Sequence, residues 1–400
     1  MISKKIFIFF LSILILIWCA DNKNQMTNPS SVNWLAKDIE SVEKIESRVK
    51  DFPPADTITH SQKISEWNVT ITEWISGLDV PWELAFIDDE TALVTERSGT
   101  IRKIVNWELQ STPFWEAPSL ERGEWWLMWL ALHPDYENNG YIYVMYTYRK
   151  ENGMDIANKV VRLLESDTWV TIDTTIVDDI PAKLYHNWGR IHFWPDEKLY
   201  ISTWDASNPQ IAQDLGSLGG KILRVNDDGT IPDDNPFENS LIFSYGHRNP
   251  QWITWNESND LFISGHGPSW EFGLRAKDRV DSITPWTNYW WPEAYGPDQW
   301  YPNPLAYWPD SATPPWGMAF WNGSLFVATL LSASLIQLDI EKTDTWYMLT
   351  NENRWFEWTY GRLRDVTVWA DGNLYLLTSN GDGRNWWIDW DDIILKIEKK

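Results

Sequence analysis

The chain reads as an all-β, six-bladed β-propeller over residues 66–400. Three observations predict this: one hairpin unit recurs six times, its copies are evenly dispersed, and no long amphipathic helical pattern interrupts them. Each copy is a few alternating apolar residues, a polar turn often carrying Asp or Asn with Gly, and a second strand ending near Thr or Ser. The copies begin at Leu84, Leu130, Gly189, Trp252, Gly317 and Asp365, giving spacings of 46, 59, 63, 65 and 48 residues. Those spacings leave room for two further strands and their loops in each unit, which is the content of a four-stranded blade. A β-sandwich with coincidental hairpins would lack a repeat of this length.

Taken in order, the hairpin cores are Leu84-Ala85-Phe86 with Leu93-Val94-Thr95, Leu130-Ala131-Leu132 with Ile142-Tyr143-Val144, and Ile191-His192-Phe193 with Leu199-Tyr200-Ile201-Ser202. The later three are Ile253-Thr254-Trp255 with Leu261-Phe262-Ile263-Ser264, Met318-Ala319-Phe320 with Leu325-Phe326-Val327, and Val366-Thr367-Val368 with Leu374-Tyr375-Leu376-Leu377. Period-2 alternation places one face of each strand in a core.

Ahead of the repeats, Lys4 and Lys5 precede an apolar run at residues 6–17. That run is too short to span a bilayer and of the right length for the hydrophobic region of an export signal, so residues 1–18 are expected to be a signal peptide and the protein to be exported. Cys19 is the single cysteine, which rules out an intramolecular disulfide and a thiolate metal site. Leu16-Ile17-Trp18-Cys19 is similar to the end of a bacterial lipoprotein-type signal, with Cys19 as the lipid-attachment residue and Trp18 where a small residue normally stands. An incidental cysteine in a signal region is the alternative. Residues 19–65 are polar, weakly patterned and broken by Pro53-Pro54, and read as a tether. With 33 Lys+Arg against 57 Asp+Glu, the net charge of -24 argues against nucleic acid or an anionic membrane surface as a partner, leaving membrane association to the lipid anchor.

Thirty-one Trp against 21 Gly is an unusual balance. Many of these Trp stand where local chemistry asks for Gly. Trp194 and Trp369 open hairpin turns, where an indole is expected to be strained and exposed. Trp125, Trp126, Trp188, Trp204, Trp386 and Trp387 repeat the oddity, as does Trp18 at the signal. One reading covers them all: UGA codons, translated here as tryptophan, are read as glycine in the organism, so that many of these positions are glycine in the native protein. Trp82 and Trp291 read as authentic tryptophans. An aromatic-rich chain, the rival reading, predicts no preference for turns and cleavage points.

With that substitution allowed, the segment His186-Asn187-Trp188-Gly189-Arg190 resembles the His-Asn-Gly-Gly-Arg segment of the glucose/sorbosone dehydrogenase family, the soluble aldose sugar dehydrogenases that depend on pyrroloquinoline quinone (PQQ). Further matches follow in the family's order at Ser202-Thr203-Trp204-Asp205-Ala206, Gly246-His247-Arg248-Asn249-Pro250-Gln251, Gly265-His266-Gly267-Pro268, Asn288-Tyr289-Trp290-Trp291-Pro292 and Gly361-Arg362-Leu363-Arg364-Asp365.

The resemblance implies oxidation of an aldose at its anomeric carbon to the lactone, by hydride transfer to PQQ held over Ca2+, with electrons passed to an external acceptor. It implies His186 as the catalytic base, since imidazole has the pKa for that work, with Asp205 orienting it. Arg248 would set positive charge against the quinone oxygen, and Asn249 would hold the same edge. Arg362 and Arg364 would meet cofactor carboxylates, which the guanidinium fork matches bidentately; an ion pair with Asp365 is the alternative for both. Backbone carbonyls of Gly267 and Pro268 would hold the calcium.

The chain departs from the family at Leu331, where a cofactor-binding Lys is expected, and Gly265 stands where many relatives have an acidic or polar residue. Leu331 motivates a second reading, a non-catalytic carbohydrate- or protein-binding propeller that has lost the cofactor. A calcium-dependent lactone hydrolase would need carboxylates and amides converging on the metal, and the sequence offers no clear set.

Overall fold

The computed structural model describes residues 69–118, 127–166, 168–183, 189–268, 276–297, 301–344, 346–383 and 391–400. The signal, Cys19, the tether, His186, and Trp18, Trp125, Trp126, Trp188, Trp386 and Trp387 lie outside the described residues.

Six antiparallel sheets make six blades. An opening strand β1 (Val69–Leu78) is followed by the first blade, β2 (Pro81–Phe86), β3 (Thr91–Glu96), β4 (Thr100–Val105) and the short β5 (Glu108–Leu109) and β6 (Trp115–Glu116). The second is β7 (Leu127–Leu132), β8 (Tyr141–Arg149), β9 (Ile156–Glu165) and β10 (Val170–Pro181). The third is β11 (Ile191–Phe193), β12 (Leu199–Thr203), β13 (Lys221–Val225) and β14 (Ile242–Tyr245). The fourth is β15 (Pro250–Trp255), β16 (Leu261–Gly265), β17 (Asp278–Ile283) and β18 (Ala306–Trp308). The fifth is β19 (Pro315–Trp321), β20 (Ser324–Thr329), β21 (Leu335–Lys342) and β22 (Tyr347–Trp355). The sixth is β23 (Leu363–Val368), β24 (Leu374–Thr378) and β25 (Asp392–Lys399), completed by β1 pairing antiparallel to β25. That pairing ties the first strand to the last, so the ring of blades is closed by backbone hydrogen bonds.

All six expected hairpins form. Their centres pair Leu84 with Val94, Leu130 with Val144, Ile191 with Ile201, Ile253 with Ile263, Met318 with Val327 and Val366 with Leu376. Five blades have the expected four strands; the first has five. Trp194 and Trp369 depart from expectation. The left-handed residue in each of their turns comes three positions later, at Glu197 and at Gly372 (φ 61 and 76). The indoles are half-buried instead, Trp194 against Tyr200 and Trp255 at 5.1 and 5.0 Å and Trp369 against Phe86 at 4.0 Å. The strain expected of turn tryptophans is found elsewhere, at Trp107, Trp286, Trp290 and Trp358, all with φ between 59 and 69.

Five of the six hairpins carry a register shift near the start of the inner strand, at 81/83, 127/129, 250/252, 315/318 and 363/365. A bulge re-aims the side chains beside it. Trp82, Trp129, Trp252 and Trp316, each at or beside such a shift, form an edge-to-face chain with centroids 5.3 to 5.8 Å apart. Arg190 caps it 3.5 Å over Trp252, and Arg364 lies 4.3 and 4.5 Å over Trp82 and Trp316. One residue from each blade's inner edge therefore meets in a buried ring of four indoles and two guanidiniums, favourable as cation–π contacts away from water.

Candidate active site

Two clusters of the expected residues form on the loops at the inner-strand ends. The first lies where the third blade passes into the fourth. Residues 246–249 link β14 to β15 and are fixed by backbone bonds on both sides: Gly246 N–H to Ala212 O (3.0 Å), His247 N–H to Gly220 O (3.2 Å) and His266 N–H to Asn249 O (3.0 Å). The loop that supplies Ala212 and Gly220 is itself tied by Lys221. Its buried ammonium donates to the carbonyls of Ile211, Ala212 and Gly219 at 2.7, 3.1 and 2.5 Å, and burial pushes its pKa down to about 8. Arg248 Nη1 donates to His266 O at 3.1 Å, and its guanidinium stands 5.6 Å from the Trp291 ring. The Asn249 Oδ1 accepts from Gln251 Nε2 at 2.5 Å.

Asp205 sits two residues past β12, buried, with its own N–H donating to Arg248 O at 3.1 Å. One carboxylate oxygen accepts from Ser207 N–H at 3.0 Å and from the Trp204 indole; the other accepts from Trp291 Nε1 at 2.7 Å. Trp204 is thus a buried donor to Asp205, not an exposed turn residue.

Gly267 packs too closely for any side chain, since a Cβ there would lie 2.1 Å from Ala276 O. The chain at this point is pinned by Asp278, which accepts from Gly267 N–H (3.0 Å) and Thr313 N–H (2.8 Å). Burial raises the Asp278 pKa to about 6, against the pull of its two backbone N–H donors. Arg248, Asn249, Gly267, Pro268, Lys277 and Trp291 line one cleft.

The second cluster belongs to the sixth blade. Arg362 binds Asp382 Oδ2 through Nε and Nη2 at 2.9 and 2.8 Å, and Arg364 Nη2 reaches the same oxygen at 3.3 Å and Ser379 Oγ at 2.9 Å. The partner of both arginines is therefore buried Asp382 and not Asp365. Asp365 faces the axis, where it accepts from Leu84 N–H at 3.2 Å and burial pushes its pKa up to about 7. Beside it the buried Glu83 pairs with Arg190 at 2.5 Å, and burial pushes Glu83 to about 8 despite that cation.

The fold brings Asp205, Arg248, Asn249, Gly267 and Pro268 together and sets Arg362 and Arg364 in a separate group. The two groups share Trp316, whose ring meets Arg364 at 4.5 Å and His266 at 5.2 Å. Leu331 is half-exposed, in the turn between β20 and β21. Sequence reasoning missed Asp382, Asp278 and Lys221 and gave Trp291 no role. Asn380-Gly381-Asp382-Gly383, a polar turn directly after the sixth hairpin, was the signal for the first.

The residues present fit a tricarboxylate quinone and a hard cation. Arg248 and Lys277 line the cleft, and Arg362 and Arg364 stand together in the sixth blade, so cationic donors of the kind that match carboxylates are present in both places. For a hard cation the donors on offer are backbone oxygens of the tightly packed Gly267-Pro268 segment; among the described residues no group of three or more His, Cys, Asp or Glu is placed to hold a metal ion.

Comparison with known proteins agrees. The aldose sugar dehydrogenase YliI of Escherichia coli K12 is 31% identical over 347 residues, 76% of this chain and 89% of its own. A structure of the PQQ-bound form of aldose sugar dehydrogenase from Streptomyces coelicolor superposes with a TM-score of 0.74 at 33% identity, covering 83% of this chain and 98% of that one. An oxidoreductase (glucose dehydrogenase) from Thermus thermophilus gives 0.76 at 38% identity, covering 82% and 99%. The model of the Glucose / Sorbosone dehydrogenase family matches residues 78–388, and the chain belongs to that family.

Proposed function

We propose that this protein oxidises an aldose at its anomeric carbon to the lactone, with PQQ and Ca2+ bound, from a lipid-anchored position outside the cytoplasm, and passes the electrons to an external acceptor. The observation that carries the reading is the single cleft gathering Arg248, Asn249, Gly267 and Pro268, with Asp205 tied to its wall through Trp291. When bound, PQQ supplies the acceptor for the anomeric hydride. His186 takes the hydroxyl proton, and Asp205 orients the imidazole and stabilises its cation. Arg248 holds positive charge at the cleft with no need to reorganise, because its guanidinium is already fixed by His266 O. Arg362 and Arg364 would meet cofactor carboxylates, which the guanidinium fork matches bidentately. Gly267 and Pro268 would hold calcium through their backbone carbonyls, and Asp278 fixes that segment by accepting from Gly267 N–H. Export with lipid attachment at Cys19 follows from the signal-like N-terminus.

The half-exposed Leu331 favours a second reading, a sugar- or protein-binding propeller without cofactor. Purified protein given PQQ and Ca2+ and assayed for dye reduction over a panel of aldoses separates the two. The dehydrogenase reading expects bleaching with at least one aldose and a shift in the quinone spectrum. If neither occurs in the wild type, while Leu331→Lys restores both, the chain is a binding propeller whose cofactor was lost at residue 331. Where the wild type is active, Leu331→Lys is expected to tighten PQQ about tenfold, the effect of about 1.4 kcal/mol from one charge-assisted hydrogen bond.

A further inference from the structure

We infer that Trp291 is a positioning residue for this reaction: its indole N–H fixes the carboxylate of Asp205 while its ring carries the guanidinium of Arg248, so one rigid side chain spaces the carboxylate from the cation. The inference rests on the roles proposed above for Asp205 and Arg248.

Four observations support it. Trp291 Nε1 donates to Asp205 Oδ2 at 2.7 Å, and the same ring lies 5.6 Å from the Arg248 guanidinium. The indole is buried, with 3% of its surface exposed. Its backbone is clamped on both sides, Trp291 N–H to Gly246 O at 2.9 Å and Gln213 Nε2 to Trp291 O at 2.7 Å, and Gln213 Oε1 in turn accepts from Asn288 Nδ2 at 2.7 Å. Finally, Asp205 N–H donates to Arg248 O at 3.1 Å, so Asp205, Arg248 and Trp291 close a three-membered circuit.

The chemistry explains the choice of residue. Indole nitrogen donates and never accepts, so this contact favours the ionised carboxylate and cannot be satisfied in the reverse sense. The donor also fixes which way Asp205 Oδ2 faces, so the carboxylate is held in one orientation beside the proposed imidazole base. The flat ring face meanwhile accepts a guanidinium without competing for its N–H donors. Phenylalanine would keep the platform and lose the donor.

The test is Trp291→Phe in the full protein loaded with PQQ and Ca2+, against wild type, with Asp205→Asn as a second variant. Trp291→Phe is expected to lower kcat about tenfold to a hundredfold with the sugar KM changed less than about threefold. The acid limb of the kcat profile, set by the imidazole base, should move to higher pH, because a carboxylate with one donor fewer stabilises the imidazolium more strongly. A merely structural role would lower the melting temperature without moving that limb. A readout free of activity uses the indole 1H–15N resonance of Trp291, assigned as the one missing in Trp291→Phe. In the wild-type protein it should lie downfield, and in Asp205→Asn it should move upfield. Unchanged kcat and pH profile in Trp291→Phe overturn the inference, as does an indole resonance indifferent to Asp205→Asn. A wild type that oxidises no aldose removes the dehydrogenase reading and this role together, whereas an indifferent indole in an active enzyme removes this role alone.

Discussion

The fourth and sixth blades both present arginines expected to serve a cofactor, and they hold them by different means. In the fourth, Arg248 donates to a backbone carbonyl at 3.1 Å, stands beside an indole face and acts through its charge on buried Asp278. In the sixth, Arg362 and Arg364 are drawn onto one carboxylate oxygen of Asp382. A carboxylate in direct contact fixes a guanidinium's geometry and offsets its charge more strongly than one acting from further away. Motif residues in a sequence therefore give the positions of charge, and their partners decide how much of it remains.

The largest effect expected from this contrast is on stability. Asp382→Asn removes the carboxylate that both buried guanidiniums contact, and breaking a buried ion pair in that way costs about 3–5 kcal/mol. Asp278→Asn, at the fourth blade, loses an anion that accepts from two backbone N–H groups and feels Arg248 without a direct ion pair, and costs about 1–3 kcal/mol. Urea unfolding of both variants checks the ordering. If Asp382→Asn is the milder of the two, the contrast between the blades is wrong.

Between the two clusters runs the axis, and its electrostatics sharpen the comparison through pH. Glu83 and Asp365 have folded pKa values of about 8 and about 7, raised by burial above ordinary carboxyl values. The sign follows from proton counting. Between about pH 4.5 and 8 the folded state binds more protons than the unfolded one, so stability falls as pH rises through that window. Each group contributes at most about 1.4 kcal/mol per pH unit. Melting temperature is expected to decline from pH 5.5 to pH 8.5, and Glu83→Gln, which cannot titrate, should flatten part of that slope. A wild-type melting temperature that rises across this range would show that Arg190 compensates both carboxylates.

The hairpins were legible because alternation and turn chemistry are local properties, and every one of the six centres pairs as its sequence indicates. The closing partnership of β1 with β25 was not, since nothing local joins residues more than three hundred positions apart. At the site, Arg248, Asn249, Gly267 and Pro268 share a cleft, as their motifs imply. Asp382 escaped notice because its role exists only in space, where a turn of the sixth blade folds back on Arg362 and Arg364. Trp194 and Trp369 were misread for a related reason: opening a turn does not require a left-handed backbone, and neighbouring rings gave both indoles a place to pack.

The tryptophans that do adopt left-handed backbone bring the comparison to its finest scale. Trp286 lies on the loop leaving β17 in the fourth blade, and Trp358 lies on the loop entering the sixth. Both have positive φ, 62 and 59, and both are exposed, at 61% and 54%. A non-glycine residue there carries about 1–2 kcal/mol of steric cost, which glycine relieves while giving back about 0.5–1 kcal/mol in unfolded-state entropy. Trp358→Gly is therefore expected to stabilise by about 0.5–1 kcal/mol. Trp286 also donates its indole N–H to Pro236 O, a bond worth about 1 kcal/mol that glycine forfeits, so Trp286→Gly should be near neutral. Thermal unfolding of the two variants resolves the difference. Should UGA insert glycine in the organism, the native protein already has the relaxed backbone at such positions, and the masses of its peptides spanning 286 and 358 would show glycine. Peptides carrying tryptophan at both would refute glycine decoding there and leave Trp358→Gly as an available stabilisation.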